Sequence, residues 1–211
     1  MQSIHDFFEL KRCFGCNLKG SYFCSVCIED FCPTKFQISS QFSLSTVSQH
    51  NPAMMRAISG WKDRHLTQLT RNFADLLFHN NPIFAQESVI QLITPPQRKI
   101  SYSKRGFNPL ADLASELVAR NSKLIYEERA VTFKWEPRDQ RRLDSKNRAS
   151  NLIQTMQANP NSEMPALLLD DVWTTGSTMR ELVRALGTQT RVVGLCVITT
   201  AYKLGTKDVW S

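Results

Sequence analysis

A stretch of twelve residues, LLLDDVWTTGST at positions 167–178, constrains the fold of this chain more than any other feature. The apolar run at 166–169 is typical of a buried strand, and two adjacent acids, Asp170 and Asp171, follow it directly. A turn rich in hydroxyl groups at 174–178 then leads toward a helix. A strand, a turn and a helix in this order form one unit of an α/β fold with a parallel sheet.

The remainder of the chain continues this alternation of strands and helices. Helix signals are apolar positions that recur every three to five residues, together with cap residues such as Asn108 before Pro109 and Gly187 after a helix. The predicted helices cover residues 53–78, 109–120 and a segment that is capped by Ser177 or Thr178 and ends near Leu186. The predicted strands cover residues 88–94, 130–135, 166–169 and 192–199. We therefore predict a parallel sheet flanked by helices.

The turn at 174–178 has the composition of an anion site. Backbone N–H groups at the start of a helix lack partners within the helix, and the helix dipole favours negative charge there. Gly176 allows the backbone to approach an anion closely. Further donors are the hydroxyl groups of Thr174, Thr175, Ser177 and Thr178. Ligands of open parallel sheets bind beyond the carboxyl ends of the strands, where Asp170 and Asp171 suit ribose hydroxyls or a hydrated Mg²⁺.

A second cluster of charged residues occurs in TPPQRKISYSKRGFN at 94–108, between a predicted strand and a predicted helix. Gly106 supplies a turn, and the cations are Arg98, Lys99, Lys104 and Arg105. A leaving pyrophosphate requires cations of this kind, because catalysis of such transfers is largely charge stabilisation. A solvated basic loop before a capped helix is an equally good interpretation of the segment alone.

Five of the six cysteines lie within the first 32 residues. The pairs Cys13-x2-Cys16 and Cys24-x2-Cys27 are separated by seven residues, a spacing that predicts tetrahedral coordination of Zn²⁺ by four thiolates. No position is left open for water, so we expect the metal to be structural. Cys32 is a spare that could replace Cys27, although the Cys-x2-Cys geometry favours Cys27.

The charge of the chain favours an anionic partner. The formal net charge is +7, and residues 98–148 alone hold 13 Lys and Arg against 7 Asp and Glu. This localised excess suits a phosphorylated small molecule or nucleic acid. No apolar run approaches the roughly 18 residues of a membrane span, and the N-terminus lacks the basic and apolar regions of a signal peptide. We therefore expect a cytoplasmic protein.

Residues 167–178 closely resemble the phosphoribosyl pyrophosphate (PRPP) motif of type I phosphoribosyltransferases, which is an apolar strand, Asp-Asp-Val, any residue, Thr-Thr-Gly, any residue and Thr. RGFN at 105–108, followed by Leu110 and Leu113-Ala114, resembles the ComF family of competence-associated phosphoribosyltransferase-like proteins. That family's pattern Gln-x2-Leu-x4-Arg-x2-Asn is matched by Gln140, Leu143, Arg148 and Asn151.

Two further features bear on this resemblance, which runs from about Cys13 to Ala201. Lys62 matches a lysine in the family's upstream helical region, although an exposed helix lysine is the simpler interpretation of this residue. The sequence Thr-Pro-Pro at 94–96 departs from the more frequent Pro-Val-Pro of the family.

The resemblance implies an N-terminal zinc knuckle at 1–35 and a type I phosphoribosyltransferase-like domain at 36–211 that binds PRPP with Mg²⁺. It implies that Asp170 and Asp171 hold the ribose hydroxyls and that residues 174–178 hold the 5′-phosphate. The expected pyrophosphate partners are Lys99, Lys104, Arg105 and Gly106, together with Arg148 from a loop that closes over the substrate.

Three functions remain open at this point. The first is a phosphoribosyltransferase whose acceptor the sequence does not name. The second is a protein that handles single-stranded DNA during DNA uptake, with Phe107 and Trp135 as stacking residues, although Asp170 and Asp171 would repel a phosphodiester chain. The third is a regulatory PRPP sensor without turnover. PRPP binding and a setting of natural competence are compatible with all three, and competence or DNA-uptake proteins are expected partners.

Overall fold

The computed structural model describes residues 11–135, 154–159 and 164–205. Within these ranges the chain forms a mixed α/β fold whose main sheet has the strand order β1-β2-β8-β7-β3-β4. The strands are β1 (Thr34–Gln37), β2 (Ser43–Gln49), β3 (Ile90–Ile93), β4 (Leu124–Tyr126), β7 (Ala166–Trp173) and β8 (Val192–Thr200). All neighbouring strands of this sheet are parallel except β1 and β2. The predicted α/β class with a mainly parallel sheet is therefore confirmed.

Helices cover one face of the sheet, and a helix with a short ribbon covers the other. The helices are α1 (Ser25–Glu29), α2 (Pro52–Asp63), α3 (Leu69–Asn80), α4 (Lys99–Arg105), α5 (Pro109–Arg120) and α6 (Ser177–Leu186). Apolar side chains of α2, α3 and α5 pack in one core cluster with residues of β3, β7 and β8. A second cluster contains apolar residues of α6 and of the antiparallel ribbon formed by β5 (Val131–Phe133) and β6 (Met156–Ala158).

Local sequence signals explain where several elements begin and end. The Asn51 side chain accepts hydrogen bonds from the backbone N–H groups of Ala53 and Met54 at the start of α2, with Pro52 as the first helical residue. Asn108 caps α5 in the same way through the N–H of Ala111. The observed bounds of α5 are those predicted from this cap and the apolar stripe.

The single helix predicted at 53–78 is wrong, because two helices, α2 and α3, occupy this region. Between them, His65 has a φ of 57°, in the left-handed region that interrupts a helix. The N–H groups of both Arg64 and Leu66 donate to the carbonyl of Gly60, so the chain turns back on the end of α2. The apolar periodicity continues across this turn because both helices face the same core.

Three further expectations, two in the predicted PRPP motif and one in the basic segment at 94–108, are corrected by the structure. β7 is longer than predicted and includes Asp170 and Asp171, because pairing with β8 continues to Trp173. The N-cap of α6 is Gly176, with a φ of 71° and no side-chain cap, instead of Ser177 or Thr178. The segment expected to be a basic loop contains the helix α4.

The cysteine knuckle (residues 11–33) packs on the rest of the chain. Phe23 and Phe31 belong to the same core cluster as Trp61 and Phe73. The rings of Phe23 and Phe73 lie 6.1 Å apart, and those of Trp61 and Phe73 lie 5.1 Å apart. A shared core of this kind couples the stability of the knuckle to that of α2 and α3. The division at residue 35 into two domains stays a prediction.

Candidate functional site

A cavity of about 170 Å³ opens where the ends of several elements meet. Asp170 and Asp171 of β7 form one side, and the segment after β3 forms another. Arg98 and Arg105 come from the two ends of α4, and Lys62 comes from the last turn of α2. Three cations that are far from the acid pair in the sequence therefore line the same cavity as the acid pair.

Lys62 forms an ion pair with Asp171. The relative exposure of the two side chains is 24% and 9%, so the interpretation of Lys62 as an exposed helix lysine is wrong. Burial lowers the pKa of Lys62 to about 8, an effect that the negative charge of Asp170 opposes and the positive charge of Arg105 reinforces. Lys62 is thus a counter-ion held inside the site by the fold.

Asp170 has the opposite perturbation. Burial raises the pKa of its carboxyl group to about 6, and the Lys62 ammonium offsets part of this rise. One carboxylate oxygen of Asp170 also accepts a hydrogen bond of 2.9 Å from the backbone N–H of Asp171. The repulsion between the two adjacent acids is thus reduced in two ways. Asp171 is paired with Lys62, and the pKa of Asp170 is raised.

The end of α2 contributes to both sides of the cavity. Lys62 contacts Asp171, while the next residue, Asp63, accepts from the Arg105 guanidinium at 3.4 Å. The ion pair of Asp63 and Arg105 joins α2 to the last turn of α4. Its partners differ in exposure, with the Arg105 side chain at 20% and the Asp63 side chain at 50%. Arg105 therefore has a partner in α2 that the sequence did not single out.

The basic residues of the α4 segment differ in whether they line the cavity. Arg98, Ser101 and Arg105 line the cavity, at a spacing that places them on one helix face. Lys99 and Lys104, both predicted to contact pyrophosphate, are exposed and lie outside the cavity lining. Gly106 ends the helix with a φ of 71° and donates its N–H to Tyr102 at 2.7 Å.

The hydroxyl-rich turn lies beside the same acid pair. Asp170 lines a small recess with Thr174, Gly176 and Thr178, in addition to the main cavity. The other hydroxyl groups of the turn interact with each other, since Thr175 Oγ1 lies 2.5 Å from Ser177 Oγ. The buried Gly176 adopts a left-handed backbone that directs the chain into α6. Asp170 thus lines both the recess at the turn and the cavity that contains Lys62, Arg98 and Arg105.

The residue predicted to close over the substrate, Arg148, lies outside the described residues, as does the segment 140–151. The ribbon β5–β6 that brackets this segment is attached to α6. Buried Glu181 accepts from the backbone N–H groups of Gln154 and Met156, at 3.1 and 2.9 Å, and pairs with Arg184 at 2.8 Å. Burial opposes ionisation of Glu181, but these donors outweigh it and lower its pKa.

The four cysteines predicted as metal ligands form a cluster. The Sγ atoms of Cys13, Cys16, Cys24 and Cys27 all lie within 4.8 Å of one another. Around a tetrahedral Zn²⁺ with bonds of about 2.3 Å, sulfur atoms lie about 3.8 Å apart. The observed separations of 3.7 Å for Cys13–Cys24 and 3.5 Å for Cys16–Cys24 fit that geometry.

The thiols of the cluster have pKa values shifted in opposite directions: hydrogen bonds with its cysteine neighbours, Cys24 first, raise the pKa of Cys27 to about 12. Burial would raise the pKa of Cys13, but backbone N–H groups of Cys16, Cys24 and Gly15 outweigh it and lower the pKa to about 6. A thiolate at Cys13 is the form that binds a metal. Cys32 is exposed and outside the cluster, which agrees with the choice of Cys27 as the fourth ligand. The four cysteines could therefore bind a zinc ion.

Sequence reasoning left the role of Lys62 open and did not select Asp63 or Glu181. The one available signal for Lys62 was the resemblance of its helical segment to the ComF family. Nothing local marks these residues, because each acts through a partner that is distant in sequence: Asp171 for Lys62, Arg105 for Asp63, and the β6 backbone for Glu181.

Comparisons with known proteins add little to this picture. No protein-family model matches the chain, and no curated protein matches it. The ComF resemblance therefore has no support from such a match. A solved structure described as the allosteric regulatory enzyme of purine biosynthesis is similar at 15% identity with a TM-score of 0.36, over 62% of this chain. The similarity covers only 25% of the length of that enzyme, and at this TM-score it carries no argument.

No helix among the described residues is long and apolar enough to cross a membrane.

Proposed function

We propose that the chain binds PRPP together with Mg²⁺ in the cavity at the carboxyl ends of β3 and β7. The observation that carries this proposal is that Asp170 lies beside two groups of different character. One is the hydroxyl-rich turn at the start of α6, where the recess of about 10 Å³ has room for no more than a water molecule, so a phosphate would bind on the outer side of the turn. The other is the cavity lined by Lys62, Arg98 and Arg105. A sugar that bears a phosphate at one end and a diphosphate at the other matches this order of groups.

Each part of PRPP has a proposed partner in the cavity. Asp170 and Asp171 accept hydrogen bonds from the ribose hydroxyls, and the turn at 174–178 binds the 5′-phosphate through its N–H and hydroxyl groups. Arg98 and Arg105 offset the charge of the diphosphate. The same acid pair would hold Mg²⁺ through water, and the ion supplies further neutralisation of the diphosphate when bound.

Lys62 completes the charge balance of the proposed site. Without a cation nearby, two adjacent carboxylates would repel an anionic ligand, and the ion pair with Asp171 reduces this repulsion. Because Lys62 is held by α2 and is largely buried, its charge is present before a divalent ion binds. We infer that it tunes how strongly PRPP binding depends on Mg²⁺.

Transfer of the ribosyl group is part of the proposal. In such a reaction a nucleophilic atom of the acceptor bonds to the anomeric carbon while the bond from that carbon to pyrophosphate breaks through a loose state, and the arginines stabilise the charge of the departing pyrophosphate. A regulatory PRPP sensor would use the same binding residues without this step, so release of pyrophosphate separates the two possibilities.

The biological setting of natural competence rests on the ComF resemblance, with DNA-uptake proteins as the partners it implies. Direct handling of single-stranded DNA is the alternative function. The exposed Trp135, at 55% relative exposure, favours base stacking, whereas the half-buried Phe107 lies 6.1 Å from the ring of His65 and is a poor stacking platform. The acid pair disfavours a phosphodiester chain in the cavity itself.

Calorimetric titration of the full-length protein with PRPP, with and without Mg²⁺, tests the proposal. The double variant Asp170→Asn and Asp171→Asn should bind at least about tenfold more weakly, which corresponds to about 1.4 kcal/mol. A matched control removes two exposed acids, Glu29→Gln and Glu87→Gln, and should bind like the wild type. Equal affinity in the wild type and in the Asp170/Asp171 variant would refute the ribose assignment.

A further inference from the structure

A second cleft, separate from the proposed PRPP cavity, lies between the cysteine knuckle and the end of α2. Its volume is about 620 Å³, within the range of small-molecule sites. Side chains that could hold a ligand there are Lys11, Arg12, Phe14, Tyr22, Arg56 and Arg64, and these six residues define the knuckle cleft. Among the described residues, its lining contains four cations and no acid. The cleft therefore has the charge of an anion site.

The arginines of the knuckle cleft are not neutralised by neighbouring acids. Among the described residues, Arg12, Arg56 and Arg64 form no ion pair with a carboxylate. Arg56 donates instead to the carbonyl of Phe14 at 2.5 Å, and Arg12 donates to the carbonyl of Asn17 at 3.2 Å. These bonds orient both exposed guanidinium groups and leave their charge without a carboxylate partner, so several positive charges line one cleft.

Two aromatic rings line the same space. The rings of Phe14 and Tyr22 have centroids 6.0 Å apart, and Lys11 Nζ lies 5.5 Å from the centroid of the Tyr22 ring. The Tyr22 hydroxyl donates to Gln68 Oε1 at 3.2 Å, which fixes the ring at the edge of the cleft. Aromatic faces beside cations are suited to a ligand that has both a planar base and phosphates.

The excess of positive charge falls along the surface in the direction of α5. The adjoining cleft shares Lys11 and Gln68 with the knuckle cleft and is lined in addition by Asp112, Glu116 and Arg71. Because Glu116 pairs with Arg71 and with Arg120, a phosphodiester strand that followed this direction would meet chiefly the charge of Asp112. The fall in net positive charge on this side favours a short ligand with several charges.

Two glycines next to the knuckle cleft, Gly15 and Gly60, have close neighbours that leave no room for a side chain. A Cβ atom at Gly15 would lie 2.5 Å from Cys27 Sγ, so the backbone at this position packs directly on the cysteine cluster. A Cβ atom at Gly60 would lie 3.2 Å from the Phe14 ring, so the absence of a side chain in α2 lets the knuckle approach closely. This packing fixes Phe14 against α2, the helix that contains Arg56.

We propose that the knuckle cleft binds a nucleoside di- or triphosphate, with the phosphates on the arginines and the base against the aromatic rings. This site is separate from the proposed PRPP site, with which it shares no lining residue. Two observations carry the proposal: the arginines that have no carboxylate partner and the two aromatic rings beside them.

Calorimetric titration of the full-length, metal-loaded protein without Mg²⁺ tests the proposal, with ATP, inorganic tripolyphosphate and a short thymidine oligonucleotide as probes. ATP should bind, and tripolyphosphate should bind about fivefold or more weakly because it lacks the base. The double variant Arg56→Gln and Arg64→Gln should lower ATP affinity about tenfold or more. The matched control, Lys123→Gln and Arg191→Gln, removes two exposed cations elsewhere and should have no such effect.

Three results would overturn the proposal. One is the absence of ATP binding. Another is binding of the oligonucleotide through Arg56 and Arg64 with higher affinity than ATP, since this would indicate a strand-binding surface. The third is loss of ATP binding in the Asp170→Asn and Asp171→Asn variant, which would place ATP in the proposed PRPP site. Because PRPP binding is measured separately in that variant, failure of one proposal leaves the other testable.

Discussion

Lys62 at the end of α2 forms an ion pair with Asp171 of β7, although the two residues are far apart in the sequence. The pair lies in a cavity that also contains Asp170 and Arg105. Its existence means that the proposed PRPP site carries an internal cation before any metal ion binds.

Replacement of Lys62 should make PRPP binding more dependent on Mg²⁺. In Lys62→Gln the acid pair loses its counter-ion and repels the anionic ligand, so affinity at low Mg²⁺ should fall by about tenfold. At saturating Mg²⁺ the deficit should shrink, because the ion replaces the missing charge. Calorimetry at two Mg²⁺ concentrations measures both affinities, with Lys123→Gln as the control for an exposed lysine. Equal deficits at both concentrations would contradict the counter-ion role.

Removal of the Asp170 charge should stabilise the ligand-free protein at neutral pH. Burial raises the pKa of this carboxyl group from 3.8 to about 6, so between these values the folded protein retains a proton that the unfolded chain releases. The contribution of Asp170 to stability therefore falls as the pH rises from about 4 to about 6.

Asp170→Asn should accordingly have a higher melting temperature than the wild type at pH 7. The difference should grow between pH 4 and pH 6 and level off above this window. Thermal unfolding across the pH range measures it, and Glu87→Gln is the exposed control. A difference that does not vary with pH would show that the carboxyl group is not perturbed as described.

Arg105 and Lys104 are adjacent in sequence but should differ in effect. Arg105 lines the cavity and contacts Asp63, whereas Lys104 is exposed and outside the lining. Arg105→Ala should lower PRPP affinity about tenfold, and Lys104→Ala should have little effect. Neither change should alter the binding of 5-phosphoribose by much, because this ligand lacks the diphosphate. Arg148→Ala is expected to resemble Arg105→Ala.

The pyrophosphate assignment fails under two outcomes of the Arg105 experiment. The first is an equal loss of affinity for PRPP and 5-phosphoribose. The second is unchanged PRPP affinity in Arg105→Ala and Arg148→Ala together with a flatter salt dependence of single-stranded DNA binding. Each lost phosphate contact would change that slope by about 0.7.

The cysteine cluster should hold one zinc ion per chain. Elemental analysis of the purified protein should find about one equivalent in the wild type and in Cys32→Ser, whose side chain lies outside the cluster. Cys13→Ser should retain less than half an equivalent. Its melting temperature should also fall, because Phe23 and Phe31 share a core with Trp61 and Phe73. Equal zinc content in Cys13→Ser and the wild type would rule out this ligand set.

Glu181 should contribute to the attachment of the β5–β6 ribbon. In Glu181→Gln the buried side chain loses its charge-assisted pairs with Arg184 and weakens its bonds to Gln154 and Met156. The expected loss in the free energy of unfolding is about 1–3 kcal/mol. Chemical denaturation measures it against Glu87→Gln, an exposed glutamate. A loss no larger than that of this control would show that the network adds nothing to stability.

Local chemistry allowed the sequence alone to determine several parts of this protein. The cap and apolar stripe of α5 lie within one continuous segment, so its bounds were predictable from Asn108 onward. The four clustered cysteines follow from two short spacings, each fixed by a single turn. The order of strand, turn and helix at 166–186 was readable for the same reason, although the acid pair lies within the strand and not after it.

Tertiary structure decided which charged residues share a cavity. Lys62 has the local signature of an exposed helix lysine and becomes an internal counter-ion only because α2 ends beside β7. Arg105 lines the cavity and Lys104 does not, because the segment folds into α4 and helical spacing turns their side chains in different directions. The break between α2 and α3 depends on the left-handed backbone at His65. Such relationships join residues that are distant in sequence, and the periodicity of one segment contains no information about its eventual neighbours.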